Sequence, residues 1–147
     1  AQAQLTGALA GVSLVTPFRT NSALASHTLS DQLNVVAKVI ASRAALGVKR
    51  QVFFVSLDGF DNHDGLLTKH PELMGQLDEA LSAFYAATVE MGVQNQVTTF
   101  TMSDFGRSLQ GNSDGSDHGW GNHHFILGGA VKGQQFYGTA PAVSLTA

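Results

Sequence analysis

Gln51-Val-Phe-Phe-Val-Ser-Leu57, closed by Asp58-Gly59, is the stretch on which the expected fold turns. It is an apolar run of strand length without a polar alternation. Such a run predicts a strand covered on both faces, as in a parallel sheet, and Asp58-Gly59 is a turn signal behind it. Upstream, Leu33, Val36, Ala37, Ile40 and Ala44 recur at the helical period. Ser30 is the expected N-cap and Gly47 the expected C-cap of that helix. Downstream, Pro71 suits the first turn of a second helix. Its apolar side runs through Leu73, Leu77, Ala80, Leu81, Phe84, Ala87, Val89 and Met91, and Gly92 ends it. Gln96-Val-Thr-Thr-Phe-Thr-Met102 is a second β-rich run. Residues 105–122 are rich in Gly, Ser, Asn and Asp and read as a loop. His124-Phe-Ile-Leu127 and Gln135-Phe-Tyr137 are short strand candidates, and residues 1–28 read as an irregular lead-in. The alternation predicts one α/β domain over 1–147, a mainly parallel sheet flanked by helices. In such sheets ligands bind beyond the carboxyl ends of the strands. Asp58 to His63 and Ser103 to Arg107 both fall there.

The bulk composition narrows the function classes. The chain has 147 residues, of which 44% are hydrophobic and 13% charged, which describes a globular chain rather than a disordered one. Its net charge is -3 and it has no basic run, so a nucleic-acid partner is not expected. There are no cysteines, so any metal takes oxygen and nitrogen ligands. No segment reaches the ~18 apolar residues of a membrane span, and residues 1–14 lack the basic and apolar regions of a signal peptide. The 16 glycines favour loops that approach other groups closely.

Three segments carry residues able to do chemistry. Asp61-Asn-His63 places a carboxylate and an imidazole on one loop, a pairing that suits zinc, manganese or iron; a solvated polar loop is the plainer reading. Ser103-Asp104 follows the second β-rich run, as a helix-capping pair or with Asp104 as a further ligand. Arg107 suits either a surface ion pair or a clamp on an anionic substrate through its planar fork. His118 sits in Asp117-His-Gly-Trp120, where glycine lets backbone come close. His123 and His124 point to opposite sides if a strand begins there. Four of the six histidines fall in these candidate segments, which strengthens the joint metal reading. There is no Gly-x-Ser-x-Gly elbow and no phosphate loop. Ser56, Ser103 and Ser108 carry no specific signature. His27 and His70 read as surface residues, and Trp120 as a pocket wall or a loop anchor.

A set of motifs then resembles a known family. Gln51 to Val55, Gly59 to His63, Leu77 to Phe84, Thr101 to Arg107, Gly115 to Asn122 and Gly128 to Gly133 look like a bacterial family of exported proteins, domain of unknown function 1501. That family usually has Glu where Asp104 stands and Thr where Asn62 and Ser108 stand. It is similar in turn to the alkaline phosphatase and sulfatase superfamily. The resemblance implies an alkaline-phosphatase-like fold, of which this chain matches the carboxy-terminal part. It implies a divalent metal (zinc, manganese or calcium) held by Asp61, His63, Asp104 and His118, with Asp58 an alternative to Asp61. Phe105 stands where the superfamily has a ligand histidine, which implies a one-metal or degenerate site in place of the usual ions about 4 Å apart. The superfamily nucleophile lies in the amino-terminal part and no residue here matches it. The implied activity is hydrolysis of a phosphate or sulfate ester, with Arg107, His123 and His124 contacting a small anionic substrate. The implied location is periplasmic or secreted, after twin-arginine export. The rival expectation is a non-catalytic exported binding protein that keeps a vestigial metal site.

Overall fold

The architecture follows from a computed structural model of the chain, in which residues 2–19, 28–140 and 143 are described. Four helices are formed: α1 (Gln2–Ala10), α2 (Leu29–Ala41), α3 (Arg43–Leu46) and α4 (Leu66–Glu90). Four short strands, β1 (Thr99–Phe100), β2 (Arg107–Gly111), β3 (Ser116–His118) and β4 (Ile126–Leu127), make two antiparallel pairs, β1 with β4 and β2 with β3. The described residues therefore build a mixed helix-and-sheet domain with two small antiparallel sheets.

The core is the seam between α2 and α4. Leu29, Leu33, Val36, Ala37 and Ile40 recur at helical spacing on α2 and meet Ala80, Phe84 and Ala87 of α4, with Val93 closing the end. Both helices bury one stripe and leave the opposite face in water, as an amphipathic pattern requires. The start of α2 differs from the expectation. Thr28, not Ser30, is the N-cap: its side chain accepts from the Asp31 amide, and the Asp31 carboxylate accepts from the Thr28 amide. The Thr-x-x-Asp spacing is that of a capping box, in which each side chain satisfies a backbone donor left open at the helix start. Gly47 does cap the following turn, at φ 67°.

α4 begins earlier than Pro71 suggests. It starts at Leu66, so the proline lies inside the helix rather than in its first turn. Asp114, far along the chain, makes this start possible. Its carboxylate accepts from the Gly65 amide at 3.0 Å and its carbonyl from the Leu66 amide at 3.0 Å. A carboxylate at a helix N-terminus satisfies open donors and the positive end of the helix dipole. The lead-in also differs: residues 2–10 are helical but bury no side chain. A helix without an apolar stripe leaves no periodic signal. Ser42 Oγ ties its Ala8 carbonyl to the end of α2 at 3.2 Å. The expectation for residues 20–27, His27 included, falls outside the described residues.

Residues 51–57 form no regular element, and no described strand pairs with them. Val55 and Leu57 pack against the helical core, while Val52 is 98% and Phe54 84% exposed. The Gln32 side chain substitutes for a neighbouring strand at one position. Its Nε2 donates to the Ser56 carbonyl at 2.8 Å and its Oε1 accepts from the Ser56 amide at 3.0 Å. That amide pair pins the run to α2, so that its far end, Asp58 to His63, is delivered to a fixed place. The second β-rich run is shorter than expected: only Thr99 and Phe100 pair, with Leu127 and Ile126. Residues 135–137 form no strand. Residues 105–122 are a hairpin, not a loop. Its ladder is irregular between Arg107 and Gly111 and its turn closes with Asn112 N to Gly115 O at 3.1 Å.

Candidate metal centre

Two loops meet at the site, one following residues 51–57 and one carried by the β2–β3 hairpin. Glycine permits the approach. A Cβ on Gly106 would stand 2.6 Å from the Gly121 carbonyl and 2.8 Å from the Gly119 oxygen, and a Cβ on Gly115 would run into the His63 carbonyl. Only a residue without a Cβ fits at such separations. Arg107 then ties the loops together. Its Nη2 donates to the Phe60 carbonyl at 2.6 Å, its Nη1 donates to the Ser116 carbonyl, and its guanidinium lies 5.2 Å from the centre of the Phe105 ring.

This scaffold brings Asp61, His63 and His118 together. One ligand atom from each lies within 4.8 Å of the others. His118 Nε2 is 2.8 Å and His63 Nε2 3.2 Å from Asp61 Oδ1. An ion with ligand bonds of about 2.0–2.2 Å spaces its ligands by roughly 3.0–3.5 Å; the 3.2 Å separation falls in that range, and the 2.8 Å one, a hydrogen bond, must widen slightly to admit an ion. All three side chains are about half exposed, which leaves one side of the cluster open to solvent. Phe105 stacks on His118 with ring centroids 4.1 Å apart and 12° between planes. The Phe105 ring thus holds one face of the His118 imidazole. His63 lies beside His118, with ring centroids 5.0 Å apart.

The electrostatics favour the ionised form of the two aspartates. The hydrogen bond from His118 holds the Asp61 carboxyl below its ordinary value against some desolvation, helped by the charges of His118, His63 and Arg107. Asp117 is lowered likewise, first by its hydrogen bond from His63 and then by Asn112 and the charges of His63 and Arg107, with desolvation opposing.

The other sequence candidates lie apart from this trio. Asp104 is exposed and outside the cluster. Asp58 is exposed and outside it too, so Asp61 is the aspartate that the structure brings to the two histidines. His124 Nδ1 contacts Thr101 Oγ1 at 3.2 Å, and His123 lies beside Trp120 with centroids 6.4 Å apart. His70 meets Phe60 edge-on. Sequence reading passed over Asp117 and Asn112. Asp117 accepts from Asn112 Nδ2 at 2.7 Å and contacts His63 Nδ1 at 3.1 Å. Its adjacency to His118 was the available signal. A groove between α4 and β4, lined by Met74, Leu81, Tyr85, Ile126 and Val131, contains none of the three ligands.

Fold and site together define a mixed helix-and-sheet domain bearing an exposed Asp–His–His cluster of ligand type. The chain belongs to the DUF1501 family of proteins of unknown function, whose family model matches residues 16–147. No curated protein and no solved structure matches it. Among the described residues, no helix is long and apolar enough to cross a membrane.

Proposed function

We propose that the protein is a metal-dependent, hydrolase-like protein that acts on a phosphate or sulfate ester. The observation that carries this is the convergence of Asp61, His63 and His118. Three protein ligands with one side open is the pattern of catalytic rather than structural sites. Two imidazoles with one carboxylate suit zinc, manganese or iron better than calcium, which prefers an all-oxygen shell. A divalent ion supplies Lewis acidity toward a phosphoryl or sulfuryl oxygen. Asp61, kept ionised by its neighbours, and the imidazoles of His63 and His118 are the groups that would hold it. Arg107 has further N–H donors beyond the two it uses, and with His123 and His124 it is the candidate contact for the anionic part of the substrate. In this reading residues 51–57 and 96–102 belong to a larger, mainly parallel, alkaline-phosphatase-like sheet. The exposure of the apolar side chains Val52, Phe54, Phe100 and Met102 supports that reading. Export to the periplasm or medium belongs to the same proposal.

A second reading, a non-catalytic exported protein with a vestigial ion site, is favoured by Phe105, a non-ligating ring that stacks on His118 where the resemblance implies a ligand histidine. Elemental analysis of the protein equilibrated with zinc or manganese, followed by assay on generic phosphate and sulfate esters with and without chelator, separates the two. Stoichiometric metal with chelator-sensitive turnover is the expected result. Metal without turnover supports the second reading, and no metal at neutral pH overturns both.

A further inference from the structure

His63 has two ring nitrogens and they face different carboxylates. Nε2 lies 3.2 Å from Asp61 Oδ1, while Nδ1 is hydrogen-bonded to Asp117 Oδ1 at 3.1 Å. One ion takes only one nitrogen of a ring. On the Nε2 side it finds Asp61 and His118 Nε2, three ligands in all; on the Nδ1 side, among the described residues, the carboxylate it meets is that of Asp117. The shorter contact to Asp61 is already held by His118 at 2.8 Å. Asp117 is itself fixed from outside the site, since Asn112 Nδ2 donates to the same Oδ1 at 2.7 Å. Asn112 opens the hairpin turn and Asp117 lies on β3, so both are set by the ladder and not by the metal loop.

We propose that Asp117 is a positioning residue: it accepts the Nδ1 proton of His63 and so turns Nε2 toward Asp61 and His118. The neutral ring must carry its single proton on Nδ1 if Nε2 is to offer a lone pair. A carboxylate on the far nitrogen selects that tautomer and raises the basicity of the ligating one. The inference rests on the metal-centre reading for its consequence, but the tautomer itself is a property of the metal-free protein.

The test has two arms, both on the whole chain. The first is the nitrogen-15 spectrum of the His63 ring at pH 8 without metal, in the wild type, Asp117→Ala and Asp117→Asn. The proton is expected on Nδ1 in the wild type, on Nε2 in Asp117→Ala, and back on Nδ1 in Asp117→Asn, whose amide oxygen still accepts. The second is zinc titration of the same three proteins against a chromophoric chelator. Asp117→Ala is expected to bind about 10–100-fold more weakly, the usual effect of removing such a partner, with most of the loss restored in Asp117→Asn. A wild-type His63 protonated on Nε2, or a tautomer and zinc affinity unchanged in Asp117→Ala, overturns the inference. An Nδ1 proton that depends on Asp117 in a protein that binds no zinc upholds the positioning and overturns only the metal-centre reading.

Discussion

Replacing Arg107 by lysine tests how the site is assembled without touching a ligand. The guanidinium bridges the Phe60 carbonyl, one residue before Asp61, and the Ser116 carbonyl, two residues before His118. A hydrogen bond from a charged donor contributes about 1.5–3 kcal/mol. A lysine ammonium reaches one carbonyl in place of two, so one such bond is lost. The site is only half-buried and the freed carbonyl is rehydrated, which reduces the loss to about 1–2 kcal/mol. For a chain of this size that corresponds to a fall in melting temperature of roughly 3–6 °C. If the clamp holds Asp61 against the histidines, the ion must restore that order when it binds, and the same energy reappears as an affinity loss of about 5–30-fold. Thermal melts and a zinc titration against a chromophoric chelator read the two quantities separately. Zinc affinity within twofold of wild type, despite a lowered melting temperature, refutes the clamp. In that event a raised KM for an anionic ester would reassign Arg107 to the substrate.

Three further outcomes follow from the packing. Gly115→Ala drives a methyl group into the His63 carbonyl. Overpacking of this kind costs about 1–3 kcal/mol, and zinc binding should fall below detection in the same titration while far-ultraviolet circular dichroism stays near wild type. Phe84→Ala, at a position 3% exposed in the seam between α2 and α4, should lower the unfolding free energy by about 3–5 kcal/mol in urea, and a loss under 1 kcal/mol would mean the seam is not the core. Glu90 accepts from the Val15 amide, the Thr16 amide and the Thr16 hydroxyl, and these bonds, the hydroxyl's first, hold its carboxyl below the ordinary 4.5. A group whose pKa is depressed in the folded state stabilises it above the unfolded value and ceases to do so as pH falls through the folded value. The protection factors of the Val15 and Thr16 amides, corrected for intrinsic exchange, should therefore be high at pH 6 and fall selectively as pH drops below the ordinary carboxylate value. Equal protection at pH 6 in Glu90→Gln would remove the charge from the explanation.

Much of the helical half was legible along the chain. Leu33, Val36, Ala37 and Ile40 announced the buried stripe of α2, and Ala80, Phe84 and Ala87 that of α4, because a helix that buries one face must repeat apolar residues at its own period. Of the sheets, the strand character around Thr99–Phe100 and Ile126–Leu127 was legible, but not its short extent or its antiparallel pairing. Residues 51–57 have strand composition, but pairing needs a neighbour, and the only backbone partner they find in the described structure is the Gln32 amide. The β2–β3 hairpin hid behind Gly, Ser, Asn and Asp, since its strands form to let two backbones approach and not to bury apolar side chains.

The site divides the same way. The residue types by themselves determined that any metal would be held by carboxylate and imidazole, and that Asp61, His63 and His118 were among the candidates, because a chain without cysteine leaves no other strong ligands. Only the tertiary structure decided between the candidates. It took Asp61 over Asp58, left Asp104, His123 and His124 outside, and set Asp117 behind His63. The reason is distance along the chain: Asp61 and His118 are separated by 57 positions. Their meeting depends on Arg107, Asp114 and two glycines, Gly106 and Gly115, whose contacts no reading of neighbouring residues can supply.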